Sequence, residues 1–150
     1  MTSNDSSTVI QQTPLVLIVD DEPIVGDVLE AYFTKWGFIS KSISNPLEVV
    51  EALDGRFYNV VLLDVIMPGK SGIDLIPEIT DASPDTKIIM MSGYSEKEHV
   101  IEALRLGASD FLEKPIEGDF LFETLKRTLH HQKMELKFQK AHEELKRSRE

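Results

Sequence analysis

Four apolar runs in this chain are short, rich in β-branched residues and separated by stretches of helical periodicity. Leu15-Val16-Leu17-Ile18-Val19 runs into Asp20-Asp21-Glu22. Val60-Val61-Leu62-Leu63 stops at Asp64, Ile88-Ile89-Met90-Met91 stops at Ser92, and Phe111-Leu112 leads to Glu113-Lys114-Pro115. Continuous apolar runs of this kind, bounded by turn residues, read as strands buried on both faces of a parallel sheet. Ligands of open parallel sheets bind outside the carboxyl ends of the strands. The four ends should therefore converge on one crevice, where Asp20, Asp21, Asp64, Ser92 and Lys114 meet.

The intervening stretches predict helices. Pro23 suits a first helical turn, and Ile24, Val25, Val28, Leu29, Tyr32 and Phe33 recur at helical spacing as far as Trp36, with Gly37 as the stop. A short second strand, Phe38 to Ser42, leads to Asn45-Pro46, an N-cap and first-turn pair that opens helix two. That helix carries Leu47, Val50 and Leu53 and ends near Gly55. The third strand covers residues 59–63, and Met67-Pro68-Gly69-Lys70-Ser71-Gly72 beyond Asp64 is a loop. Helix three covers roughly 72–81, and Pro77 inside it is expected to bend or locally break it, since proline lacks the backbone donor. Strand four is 87–91, helix four about 95–106 with Gly107 as its stop, and strand five about 109–112. No Gly or Pro follows Gly118, so one long final helix is expected from Glu117 to Glu150. Five strands alternating with five helices define a doubly wound α/β sheet.

At 150 residues the chain suits one well-buried domain and is short for two. No apolar run approaches the roughly 20 residues needed to span a bilayer. Residues 1–13 are polar, lack the basic start and apolar core of a signal peptide, and are expected to form a disordered leader. Cysteine is absent, which removes disulfides and thiolate metal sites and suits a reducing cytoplasm. The net charge of −10 divides into −14 over residues 1–125 and +4 over residues 126–150. An acidic body disfavours direct nucleic-acid binding and suits a cation.

Asp20, Asp21 and Asp64, gathered within a few ångströms, would repel and raise one another's pKa unless something positive sits among them. A divalent cation resolves that conflict, and hard carboxylate oxygens without His or Cys favour Mg²⁺ or Mn²⁺ over zinc. Mg²⁺ keeps waters and pairs with phosphate oxygens, which implies a phosphate-bearing ligand. Taken alone, Asp20-Asp21-Glu22 reads equally well as a group favoured by the dipole of helix one. Asp64 is the best candidate nucleophile, because a carboxylate at a strand end before an open loop can form an aspartyl phosphate. Phosphoryl transfer needs positioning and charge neutralisation. Lys114 and the Ser92 hydroxyl are of the types that hold phosphoryl oxygens, and Lys114-Pro115 admits a cis bond.

This set resembles a known family. Asp20-Asp21 after strand one, Asp64 before Met67-Pro68-Gly69, Ser92-Gly93 after strand four and Lys114-Pro115 after strand five are similar to the receiver domain of bacterial two-component response regulators. The resemblance covers about residues 14–130. It implies a flavodoxin-like fold of strand order 2-1-3-4-5 and a cytoplasmic signalling module rather than a turnover enzyme. It implies that Asp64 accepts phosphate from a sensor histidine kinase or phosphotransfer protein, with Mg²⁺ held by Asp20, Asp21, Asp64 and the backbone carbonyl of Ile66. By the same resemblance Ser92 moves toward the phosphoryl group, Phe111 turns inward behind it, and Lys114 bonds a phosphoryl oxygen. The output surface is then helix four, strand five and helix five, with Val100, Ile101, Leu104 and Leu106 of helix four expected mostly in the core.

Two departures bear on the mechanism. Family members often carry Tyr where this chain has Phe111, so any switch here runs on packing. Ile66 and Tyr94, each two residues past a site residue, are bulky and are expected to flank the phosphoryl group and impede water. Two other classes fit less well. An aspartyl-phosphate phosphohydrolase needs a second aspartate where Asp64-Val65-Ile66 has isoleucine, and a flavin-binding flavodoxin needs a phosphate cradle where this chain has Asp20-Asp21-Glu22.

The final helix should pack Phe120, Leu121, Leu125 and Leu129 on the sheet and leave the body near His130. Residues 131–150 are then expected to form a helical or coiled-coil extension or linker to an absent output domain, projecting roughly 30 Å at a rise of about 1.5 Å per residue. Met134, Phe138, Ala141 and Leu145 fall at alternating four- and three-residue spacing, an a/d stripe about two heptads long. A parallel homodimeric connector and a solvated basic helix are the two readings of that stretch. His130, His131 and His142 read as surface residues, and no membrane partner is expected.

Overall fold

The computed structural model describes residues 13–93 and 97–149. The expected leader therefore lies almost wholly outside the described residues, and so does Tyr94. Among the described residues the strands are β1 (Leu15–Val19), β2 (Ile39–Ile43), β3 (Val60–Asp64), β4 (Lys87–Ser92) and β5 (Asp110–Glu113). The helices are α1 (Pro23–Trp36), α2 (Val49–Gly55), α3 (Gly72–Ala82), α4 (Lys97–Leu106) and α5 (Gly118–Ser148), with a 3₁₀ turn at Pro46–Glu48. The strands form one parallel sheet in the order β2-β1-β3-β4-β5. This is the flavodoxin-like doubly wound arrangement.

Side-chain alternation explains why the central strands are apolar without interruption. Leu17, Val19, Val61, Leu63, Ile88 and Met90 face one layer, where Val49, Leu53, Ile76, Ile79 and Ala103 cover them from α2, α3 and α4. Val16, Ile18, Val60, Leu62, Ile89 and Met91 face the other, beneath Leu29 and Phe33 of α1 and Leu121 and Leu125 of α5. With a helix layer on each face, both phases of the pleat need apolar side chains. Each fully buried Val, Leu or Ile contributes about 1.5–3 kcal/mol.

Several local expectations are corrected. The strands β2, β3 and β5 begin one residue later than the expected starts at Phe38, Asn59 and Ser109. Asn45 caps as expected, accepting from the Leu47 amide, but it caps the 3₁₀ turn, so the helical phase shifts. Leu47 is left exposed, and Val49 and Leu53 make the core face of α2. Helix α3 runs unbroken through Pro77. Pro77 lies on the exposed side, while Leu75, Ile76 and Ile79 remain buried.

On α4, Val100 is buried, but Ile101, Leu104 and Leu106 are exposed, so most of its large apolar residues lie outside the core. Phe120 is likewise exposed, and the docked face of α5 runs through Leu121, Thr124, Leu125, Thr128 and Gln132. That face continues past His130. Met134, Phe138 and Leu145 on the projecting part are exposed.

Candidate functional site

Each candidate side chain is delivered by the end of a strand. Asp20 directly follows β1 and is buried, with its Oδ1 accepting from the Glu22 amide at 2.9 Å. The turn into α1 is therefore held by the same carboxylate that faces the crevice. Asp64 is the last residue of β3, paired in register with Met91 next to Ser92 on β4. Helix α3 starts hard against it. The Gly72 amide donates to the Val65 carbonyl at 2.8 Å, and a Cβ on Gly72 would overlap the Asp64 carbonyl oxygen. Glycine is required there for close approach of the two backbones.

Lys114 arrives from the end of β5, where its amide donates to the Ser92 carbonyl at 2.8 Å. The Lys114–Pro115 peptide is cis. The Lys114 ammonium donates to Asp20 Oδ2 at 2.8 Å and lies 3.4 Å from Asp64 Oδ1. Carboxylate oxygens of Asp20, Asp21 and Asp64 all lie within 4.8 Å of one another.

Three carboxylates around one ammonium leave an excess of negative charge, and the electrostatics register it. Burial, and then the charge of Asp20, push the Asp64 carboxyl up to about 7 against the opposing pull of Lys114. Burial pulls the Lys114 ammonium down, but its bond to Asp20 and the charges of Asp64 and Asp20 outweigh it, so its pKa is raised. The donor set fits a divalent cation: hard oxygens, no His or Cys in the cluster, and a charge conflict that a dication relieves.

The remaining sequence-predicted residues take these positions. Ser92 closes β4 and is buried beside Lys114. Ile66, two residues past Asp64, is half-exposed. Phe111 sits outward on β5, with Leu112 facing the core. Sequence inspection missed Gly72 as a residue that positions Asp64. Its signal was the glycine at a loop-to-helix junction immediately after the acceptor strand.

Comparison with known proteins agrees with this geometry. The model of the response regulator receiver domain matches residues 16–126, and the chain belongs to that family. The chemotaxis protein CheY of Thermotoga maritima is 36% identical over 113 residues, which cover 75% of this chain and 94% of that protein. The transcriptional regulatory protein ZraR of Klebsiella oxytoca is 32% identical over 119 residues, covering 79% of this chain and 27% of that regulator. The chain thus spans about a quarter of the length of such regulators. Among solved structures, the CheY-like receiver domain protein of Methanospirillum hungatei JF-1 superposes with a TM-score of 0.78 at 27% identity, covering 83% of this chain and 99% of that one. The receiver domain of NtrX from Brucella abortus gives 0.73 at 30% identity, covering 77% and 98%. The chain is a receiver module of a two-component system, and a phosphohydrolase is not favoured.

Proposed function

We propose that Asp64 accepts a phosphoryl group from the phosphohistidine of a sensor kinase or phosphotransfer protein, with Mg²⁺ held by Asp20, Asp21, Asp64 and the Ile66 carbonyl. The observation that carries this reading is the meeting of Asp64 with Asp20 and Asp21 beside the Lys114 ammonium. One Asp64 carboxylate oxygen attacks phosphorus, the P–N bond breaks, and the imidazole leaves and takes up a proton from solvent. The cation supplies charge neutralisation at the phosphoryl oxygens. Lys114 holds a second oxygen and Ser92 a third.

Phosphorylation adds about −1.5 to −2 charges and three acceptor oxygens, so the arrangement with Lys114 and Ser92 drawn in gains contacts that the other lacks. Phe111 moves inward from its outer position as Ser92 advances. The exposed Ile101, Leu104 and Phe111 lie on α4 and β5, the surface expected to read the change, with α5 beside them. The α5 extension joins two copies in parallel, and the module works in the cytoplasm. Among the described residues no helix is long and apolar enough to cross a membrane.

Incubation with acetyl phosphate and Mg²⁺ tests the acceptor role. One phosphoryl group per chain, lost in Asp64→Asn, is the expected result. Continuous turnover of acetyl phosphate without a stable adduct would favour the phosphohydrolase instead.

A further inference from the structure

Gln132 is buried although it lies beyond the residues of α5 that pack their apolar side chains on the sheet. Its amide group is fully engaged. Nε2 donates to the main-chain carbonyls of Asn59 and Asp85, each at 2.8 Å, and Oε1 accepts from Asn59 Nδ2 at 3.1 Å. Asn59 is in turn a hub for the starts of three strands. Its Oδ1 accepts from the Leu15 amide, its amide donates to the Leu15 carbonyl, and its carbonyl accepts from the Lys87 amide. One turn on, the Lys87 ammonium bonds Glu135 at 2.5 Å.

A buried amide whose donors are all satisfied by fixed main-chain carbonyls tolerates little rotation of the helix that bears it. The helix is continuous from Gly118 to Ser148, so its rotational phase at Gln132 is inherited by everything after it. At about 100° per residue, Met134, Phe138, Ala141 and Leu145 lie roughly 180–240° around the helix from Gln132. The apolar stripe therefore points away from the body.

We propose that Gln132 and Asn59 form a register lock that fixes the phase of the projecting helix and presents this stripe to a second copy of the chain, packed in parallel. The proposal rests on the dimeric reading given above. Two further observations favour a second copy as occupant. Phe138 is 74% exposed on the projecting part of α5. In parallel a/d register, Glu144 takes a g position and Arg149, immediately past the end of α5, the e position opposite it, a pairing of opposite charge that the preceding pair, Lys137 and His142, lacks. The strands that carry Asp64 and Ser92 at one end carry Asn59 and Lys87 at or beside the other. The lock thus sits where a shift of β3 or β4 would reach the extension.

The test uses the full chain, whose lack of cysteine allows single-cysteine spin labels. In the wild-type background, labels at Lys146→Cys should be close across the dimer, and labels at Glu51→Cys should give a narrow body-to-body distance distribution. Phe138→Glu, which alters only an exposed side chain, should abolish association. Gln132→Met should keep the dimer and the Lys146→Cys distance but broaden the Glu51→Cys distribution several-fold. Asn59→Ala serves in the same way should Gln132→Met not fold. An unbroadened Glu51→Cys distribution in a dimeric lock variant overturns the lock alone. Distant Lys146→Cys labels overturn the parallel packing, and a monomeric wild-type chain overturns the dimer with it. Phosphorylation of Asp64 in the same samples reports separately on the acceptor role.

Discussion

The Lys114 ammonium stands 3.4 Å from Asp64 Oδ1, outside the range of a short charge-assisted bond, because its 2.8 Å bond goes to Asp20. Before phosphorylation the lysine is held by the buried carboxylate next to the acceptor. Once Asp64 carries phosphate, the same ammonium has a stronger partner within a small displacement. Lys114 is about three-quarters buried, and Asp20 is completely so. Breaking such a pair from one side leaves an uncompensated charge. Lys114→Gln should therefore lower metal-free stability by about 2 kcal/mol, less than a fully buried pair would cost. Excess Mg²⁺ should restore most of it. Denaturant titration with and without Mg²⁺ checks this, and equal losses in both conditions would count against it.

The raised Asp64 carboxyl gives a pH dependence of defined sign. Folded, it ionises at about 7, pushed up by burial and by Asp20. Unfolded, it ionises near its ordinary value of about 4. Between those values the folded chain holds a proton that the unfolded chain has lost, so this group's stabilising contribution declines as pH rises and levels off above 7. The difference between wild type and Asp64→Asn, measured by urea denaturation in EDTA from pH 4 to 8, isolates it. A wild-type stability that rises relative to Asp64→Asn across that window would contradict the assignment.

Ile66 is half-exposed, two residues past the acceptor. Its bulk should restrict in-line water at a phosphorylated Asp64. Ile66→Asn should shorten the lifetime of the phosphorylated form several-fold in a phosphate-release assay, and Tyr94→Ala should act in the same direction. An unchanged decay in both variants would show that water reaches phosphorus by another route.

Thr124 Oγ1 is the buried side-chain oxygen without a hydrogen-bond partner among the described residues. It lies on the docked face of α5. Replacing the hydroxyl by a methyl of the same shape removes an unsatisfied group, so Thr124→Val should stabilise the fold by about 1 kcal/mol. Thermal unfolding would show the gain as a higher Tm, and a lower one would mean that the hydroxyl finds water.

The chain disclosed the centre of its sheet readily because β1, β3 and β4, covered on both faces, are apolar almost throughout. The runs before Asp20, Asp64 and Ser92 therefore marked both the strands and the crevice they end in. The helices were harder where packing overrides local pattern. Leu47 has the spacing of a core residue, but the 3₁₀ turn capped by Asn45 rotates it outward. Ile101, Leu104 and Phe120 look like core on helical spacing, and only the finished tertiary arrangement leaves them exposed. Gln132 reads as a surface residue by type, although the Leu121, Leu125 and Thr128 stripe leads to it at regular spacing. Its meaning depends on carbonyls of Asn59 and Asp85, which no sequence spacing reveals.

Borohydride reduction of the acetyl-phosphate-treated chain, followed by peptide mass analysis, is the most direct test of the central claim. An aspartyl phosphate is reduced to homoserine. Conversion at position 64, dependent on a divalent cation and suppressed in Asp20→Asn and Asp21→Asn, is the predicted result. Conversion at another carboxylate, or at position 64 with equal yield in EDTA, would contradict the account.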